Sequence, residues 1–120
     1  MTPIATDEER RYLTYILESI DRIRDYLPRS EREFLRNSIA QDAVMWRLQT
    51  MADAAKAHLG DELKARHPEV PWRAVYGFRN VAAHEYAQTN LVLVWDIVSN
   101  HLQPLRNAVI AELGAGNSRA

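Results

Sequence analysis

The sequence predicts an all-α fold, an up-and-down bundle of four main helices with short additional helical turns. Three observations lead there. Apolar residues recur at three- and four-residue spacing along every long segment, capping signals precede those segments, and no stretch alternates with the period of two that a strand needs.

Thr6 followed by Glu9 is a capping box, and Leu13, Ile16, Ile20, Ile23 and Leu27 then mark one helical face that Pro28 ends. Ser30 and Glu33 repeat the box ahead of Phe34 and Leu35, which predicts a helical turn or two between major elements. Ser38 reads as the N-cap of the second long helix. There Val44, Leu48, Met51 and Ala55 form the buried stripe, Ala52, Ala54, Ala55 and Ala57 admit a close neighbour, and Gly60 is the expected glycine stop. A polar helical stretch from Asp61 to Arg66 leads into the linker His67-Pro68-Glu69-Val70-Pro71, with Pro71 placed to begin a third helix that runs to about Ala83. The run Ala87-Gln88-Thr89-Asn90 supplies a break and an N-cap. Leu91, Val94, Trp95, Val98, Leu102, Leu105 and Val109 trace the last helix, which Pro104 should kink or restart. Neither a repeat nor a long linker divides the chain, so residues 1–120 read as one domain with a core over about 7–112 and a flexible tail over 114–120.

Composition removes several kinds of function. With no cysteine there is no disulfide, thiolate-held metal or cysteine nucleophile, and the cytoplasm is the expected setting. The start, with Asp7-Glu8-Glu9, lacks the basic and apolar regions of a signal peptide, and no apolar run approaches membrane-spanning length. A net charge of −1 gives no overall attraction to nucleic acid, so any contact with RNA must be local. Lys56 and Lys64 are the only lysines, and the remaining basic residues are arginines, whose planar fork suits phosphate.

Among four histidines, His58, His67, His84 and His101, most are expected to be structural or merely exposed. His84-Glu85 begins like a zincin helix, but Gln88 stands where the second histidine is required, so no metal site is expected. No phosphate-binding glycine loop occurs, which leaves no expected cofactor, and no serine sits on a nucleophile elbow. What remains is the polar segment Arg79 to Tyr86. Asn80 and His84 are four apart and share a helical face. Arg79 lies about 140° around the axis from His84, a gap its long side chain can bridge. Tyr86, just past the helix end, can fold back beside His84. The spacing equally allows a purely structural arrangement with Arg79 paired to a carboxylate, His84 capping its helix and Tyr86 packed in the core.

Arg79, His84 and Tyr86 fill the pattern R-x-x-x-x-H-x-Y. With Gln41-Asp42-Ala43-Val44, Ala54-Ala55-Lys56 and Pro71-Trp72-Arg73 standing in the same order, the chain resembles the HEPN superfamily over roughly residues 10 to 112. The closest resemblance is to the HepT-like toxins that accompany minimal nucleotidyltransferase antitoxins. It departs where many relatives carry Gly-Glu-Ala in place of Ala52-Asp53-Ala54, and a Phe-Gly pair in place of Ala87-Gln88.

The resemblance implies a homodimer in which two copies of the motif share one cleft, and a type VII-like toxin that cleaves RNA as a metal-independent endoribonuclease. Arg79 and His84 are then the catalytic residues, with Asn80 supporting them, and Tyr86 is the site of AMPylation by the cognate nucleotidyltransferase antitoxin. Two other readings share the fold: a non-catalytic nucleotide-binding or accessory subunit of a nucleotidyltransferase, and a plain helical dimerisation module.

Overall fold

The computed structural model describes residues 3–83 and 88–117. Seven helices account for the ordered elements among them: α1 (Asp7–Tyr26), α2 (Glu31–Phe34), α3 (Ser38–His58), α4 (Asp61–Ala65), α5 (Trp72–Ala83), α6 (Gln88–Asn100) and α7 (Gln103–Asn117). The fold is the expected helical bundle, in which α1, α3, α5 and the consecutive pair α6–α7 are the four main members.

α1 starts as its capping box dictates. The Thr6 hydroxyl accepts the Glu9 amide at 3.0 Å, while the Thr6 amide donates to Glu9 Oε1 at 2.9 Å. Its stripe Leu13, Ile16, Ile20 and Ile23 is fully buried. Ser30 caps the single turn of α2, and Gln41 donates its side-chain amide to the Phe34 carbonyl at 2.8 Å, joining that turn to α3.

α3 packs against both α1 and α5. A helix with neighbours on two sides needs small residues there, and Ala52, Ala54 and Ala55 are all buried beside Leu48 and Met51, whereas Ala57 is exposed.

Four details differ from the sequence reading. The N-cap of α3 is Asn37, whose Oδ1 accepts the Ala40 amide at 3.0 Å, so Ser38 is the first helical residue. Gly60 is not a left-handed stop. It has φ −78° and caps the start of α4, and its amide donates to Glu9 Oε2 at 2.8 Å. A Cβ there would meet that oxygen at 3.0 Å, so a larger residue would require the Glu9 side chain to give way by a few tenths of an ångström. Pro71 is the residue before α5 rather than its first, its carbonyl accepting from Val75. Gln88, Thr89 and Asn90 belong to α6 rather than preceding it, and the Asn90 side chain donates to the Val81 carbonyl at 2.7 Å, tying the end of α5 to the start of α6.

Pro104 restarts the helix at the second position of α7, where its missing N–H costs nothing. The segment from 114, expected as a flexible tail, is helical as far as Asn117, and 118–120 lie outside the described residues. Among the described residues no helix is long and apolar enough to cross a membrane.

Candidate active site

α5 carries the described part of the polar motif, and its start is held firmly. Trp72 donates its indole N–H to the carbonyls of Lys64 and His67, both at 3.1 Å. Val75 and Phe78 are buried, which turns Arg73, Tyr76, Gly77 and Asn80 toward the other side at helical spacing.

These residues, with Arg79, form one wall of an open cleft of about 510 Å³, and Ala52, Asp53 and Lys56 of α3 form the other. Three cations, Lys56, Arg73 and Arg79, meet one carboxylate, Asp53, in that cleft. A chain with net charge −1 thus concentrates positive charge in one concave place, as phosphate binding requires.

Arg79 pairs with Asp53, Nε to Oδ1 at 2.9 Å, with about half of each side chain exposed. This contact uses one of the guanidinium's five N–H groups, and an exposed pair of this kind contributes about 0–1 kcal/mol. Asp53 therefore aims Arg79 without holding it so strongly that a phosphate could not compete. Asn80 is exposed and lines the same cleft. Across the rim, the Lys64 ammonium sits 4.8 Å from the Tyr76 ring centroid.

His84 and Tyr86 lie outside the described residues, as do the expected shared face of Asn80 with His84 and the fold-back of Tyr86. In the sequence His84 follows Ala83, the last residue of α5.

The other three histidines have structural settings. His58 stacks on Tyr12, ring centroids 3.7 Å apart and planes within 2°. His67 is buried between Glu69 (Nδ1 to Oε1, 3.1 Å) and Glu112 (Nε2 to Oε2, 2.5 Å). His101 pairs with Asp96 at 3.0 Å. Ser19 is fully buried, which removes it as a nucleophile, and no group of three or more potential metal ligands gathers among the described residues.

Sequence reasoning did not single out Asp53, Lys56, Arg73 and Tyr76 as site residues. The available signal was that Lys56 and Arg73 fall within the family-like stretches, and that Asp53 is the acidic residue of the segment where relatives carry Gly-Glu-Ala.

The HepT-like family, described as ribonuclease HepT-like, matches residues 16–111, most of the chain and both walls of the cleft. The chain belongs to this family. One "Putative RNase" of Methanocaldococcus jannaschii is 33% identical to the HepT-like chain over 92 residues, covering 76% of it and 75% of the relative. The "Probable ribonuclease HepT" of Thermococcus cleftensis is 28% identical over 96 residues, covering 79% and 86%. A longer protein of M. jannaschii, "Gamma-glutamylcyclotransferase and putative RNase", is 29% identical over 100 residues, which are 82% of this chain but only 45% of that protein. No solved structure matches significantly.

Proposed function

We propose that this HepT-like chain is a metal-independent endoribonuclease and the toxin of a type VII-like toxin–antitoxin pair. It would act as a cytoplasmic homodimer and be neutralised when a nucleotidyltransferase antitoxin AMPylates Tyr86. The observation that carries the RNase reading is the cationic cleft with Arg79 and Asn80 on its wall, four and five residues before His84. The relatives named as RNases add to it.

The chemistry needs few groups. The ribose 2′-oxygen attacks the neighbouring phosphorus while one His84 takes its proton; the P–O5′ bond breaks as a second His84, from the other subunit, gives a proton to the leaving 5′-oxygen. A 2′,3′-cyclic phosphate and a 5′-hydroxyl result, and no metal enters the balance. Arg79 bears on the extra negative charge of the phosphorane, and Lys56 and Arg73 hold adjacent phosphates.

Cleavage of RNA by the purified chain should persist in excess EDTA. Activity that depends strictly on added magnesium or manganese would remove the acid–base mechanism.

Arg79→Lys keeps the charge but loses both the Nε–H that Asp53 holds and the fork of terminal N–H groups that would grip a phosphate. Cleavage should fall about 10²-fold, on the scale of one lost donor to a developing oxyanion. Near-wild-type kinetics would mean that Arg79 supplies charge alone.

Tyr86→Phe deletes only the hydroxyl that would accept AMP. The variant should still cleave RNA and should escape neutralisation by a cognate nucleotidyltransferase with ATP, while intact-mass measurement shows wild type gaining AMP. Equal modification of the phenylalanine variant would assign the AMP to another residue.

The alternative of a non-catalytic nucleotide-binding or accessory subunit draws on the Arg79–Asp53 ion pair, because a guanidinium that already has a carboxylate partner can serve packing between α3 and α5. Nucleotide binding without RNA cleavage by the unmodified chain would favour it.

A further inference from the structure

Beside the cationic cleft lies a second hollow of about 280 Å³ between α1 and α3, and Asp53 lines both. The walls of the second hollow differ in kind from the first. They are the rings of Tyr12, Tyr15 and His58 together with small groups of α3.

The rings are held in place before any ligand arrives. Tyr12 and His58 stack in parallel, and the Tyr15 hydroxyl donates to Thr50 Oγ1 at 2.7 Å, which in turn donates to the Trp46 carbonyl at 3.0 Å. An aromatic recess next to a cluster of cations matches the two halves of a nucleotide, a flat base and a charged phosphate.

A direction for the strand follows from charge. Beyond His58, a further hollow is lined by Glu8, Glu9, Asp61 and Glu62, whose charges repel phosphate, while the arginine of that lining, Arg66, is already paired with Glu112. The sugar–phosphate backbone is thus disfavoured on that side and favoured toward Lys56 and Arg73, past Asp53, whose charge is offset by its pairing with Arg79.

Resting on the RNase reading above, we infer that this hollow binds one unpaired base of single-stranded RNA, whose phosphate lies in the cationic cleft. The site is thus bipartite. Cations hold the backbone at the scissile position, and the aromatic recess selects for a base that is free to leave a helix. Paired RNA would be a poor substrate because its bases cannot reach the recess.

The test uses a 2′-O-methylated pentaribonucleotide, which cannot be cleaved by 2′-oxygen attack, and the same oligomer with its bases removed. Binding is followed through the ring-proton NMR resonances of Tyr12 and Tyr15, which line the same hollow and remain in every variant used. The base-bearing oligomer should shift those resonances and bind about tenfold more tightly than the abasic one, the lower range expected of one stacked base. His58→Ala should lose that advantage and His58→Phe, whose ring can still stack on Tyr12, should keep it.

Equal affinity for the two oligomers, no binding of either, or an advantage undiminished in His58→Ala overturns the inference. Tight binding of AMP alone, matching the oligomer, also overturns it by assigning the recess to a mononucleotide. Because the readout is binding of an uncleavable strand, failure of the wild-type chain to cleave RNA would sink the nuclease reading while leaving this result decisive by itself.

Discussion

His84→Ala is expected to reduce RNA cleavage by about 10²–10⁴-fold, the range that a positioned proton-transfer group contributes. The upper part of that range applies if two symmetry-related copies serve one cleft, since a homodimeric variant loses the base and the acid together. Arg79, Lys56 and Arg73 would remain, so the variant should still bind RNA, with its dependence on salt preserved. Helical content, thermal midpoint and sedimentation should match the wild type, because the proposed role of His84 is in chemistry rather than packing. Cleavage at the wild-type rate by equal amounts of variant would return His84 to a structural role.

Glu112→Ala is expected to give the largest loss of stability, about 3 kcal/mol, seen as a lower urea midpoint with an unchanged slope. Glu112 is buried on α7 and accepts two hydrogen bonds from Arg66, Nε at 3.1 Å and Nη2 at 2.7 Å, with His67 Nε2 at 2.5 Å from the same carboxylate. Removing the carboxylate leaves two polar groups without their shared partner. A quarter of the Arg66 side chain remains exposed, which keeps the cost at the lower end for a broken buried pair. Arg66 precedes the linker to α5 and His67 begins it, its carbonyl accepting from the Trp72 indole, so loosening them should also blunt cleavage by freeing the start of the helix that carries Arg79.

Acid gives the same residue a signature. Burial by itself pushes the Glu112 carboxyl up, but the hydrogen bonds from Arg66 and His67 and their charges outweigh it and hold the group below the ordinary carboxylate value. The unfolded chain therefore binds this proton more tightly than the folded one. The stabilisation is complete above the ordinary value of about 4.3 and is lost as pH falls through the lower folded value. Arg66, whose guanidinium is pushed up by its hydrogen bond to Glu112, stays charged throughout that window. Glu112→Gln should flatten the acid limb of the stability curve. An unchanged limb would mean that other carboxylates dominate acid unfolding.

The helices were legible because their signals are local. The Thr6–Glu9 box, the Ser30–Glu33 box and the Leu13–Ile23 stripe each depend on residues within a turn or two, and each is found where its spacing places it. The misplacements fall where a local signal met a distant partner. Gly60 has the residue type of a helix stop, yet it has ordinary extended backbone and its amide is held by Glu9, fifty-one residues away in sequence. Asn90 has the residue type of an N-cap, yet it spends its side-chain amide on the end of α5.

The sequence by itself determined the helical class, the family and the motif from Arg79 to Tyr86, because spacing along one chain suffices to register a periodic face or a fixed pattern of letters. Only the tertiary structure decided that Asp53 and Lys56 of α3 stand opposite Arg73 and Arg79 of α5, and that Tyr12 of α1 stacks on His58. Those pairings depend on how closely helices approach through the buried Ala52, Ala54 and Ala55 and on how each helix is turned about its axis. Neither quantity is encoded in any short window, since both emerge from filling one shared core at close-packed density.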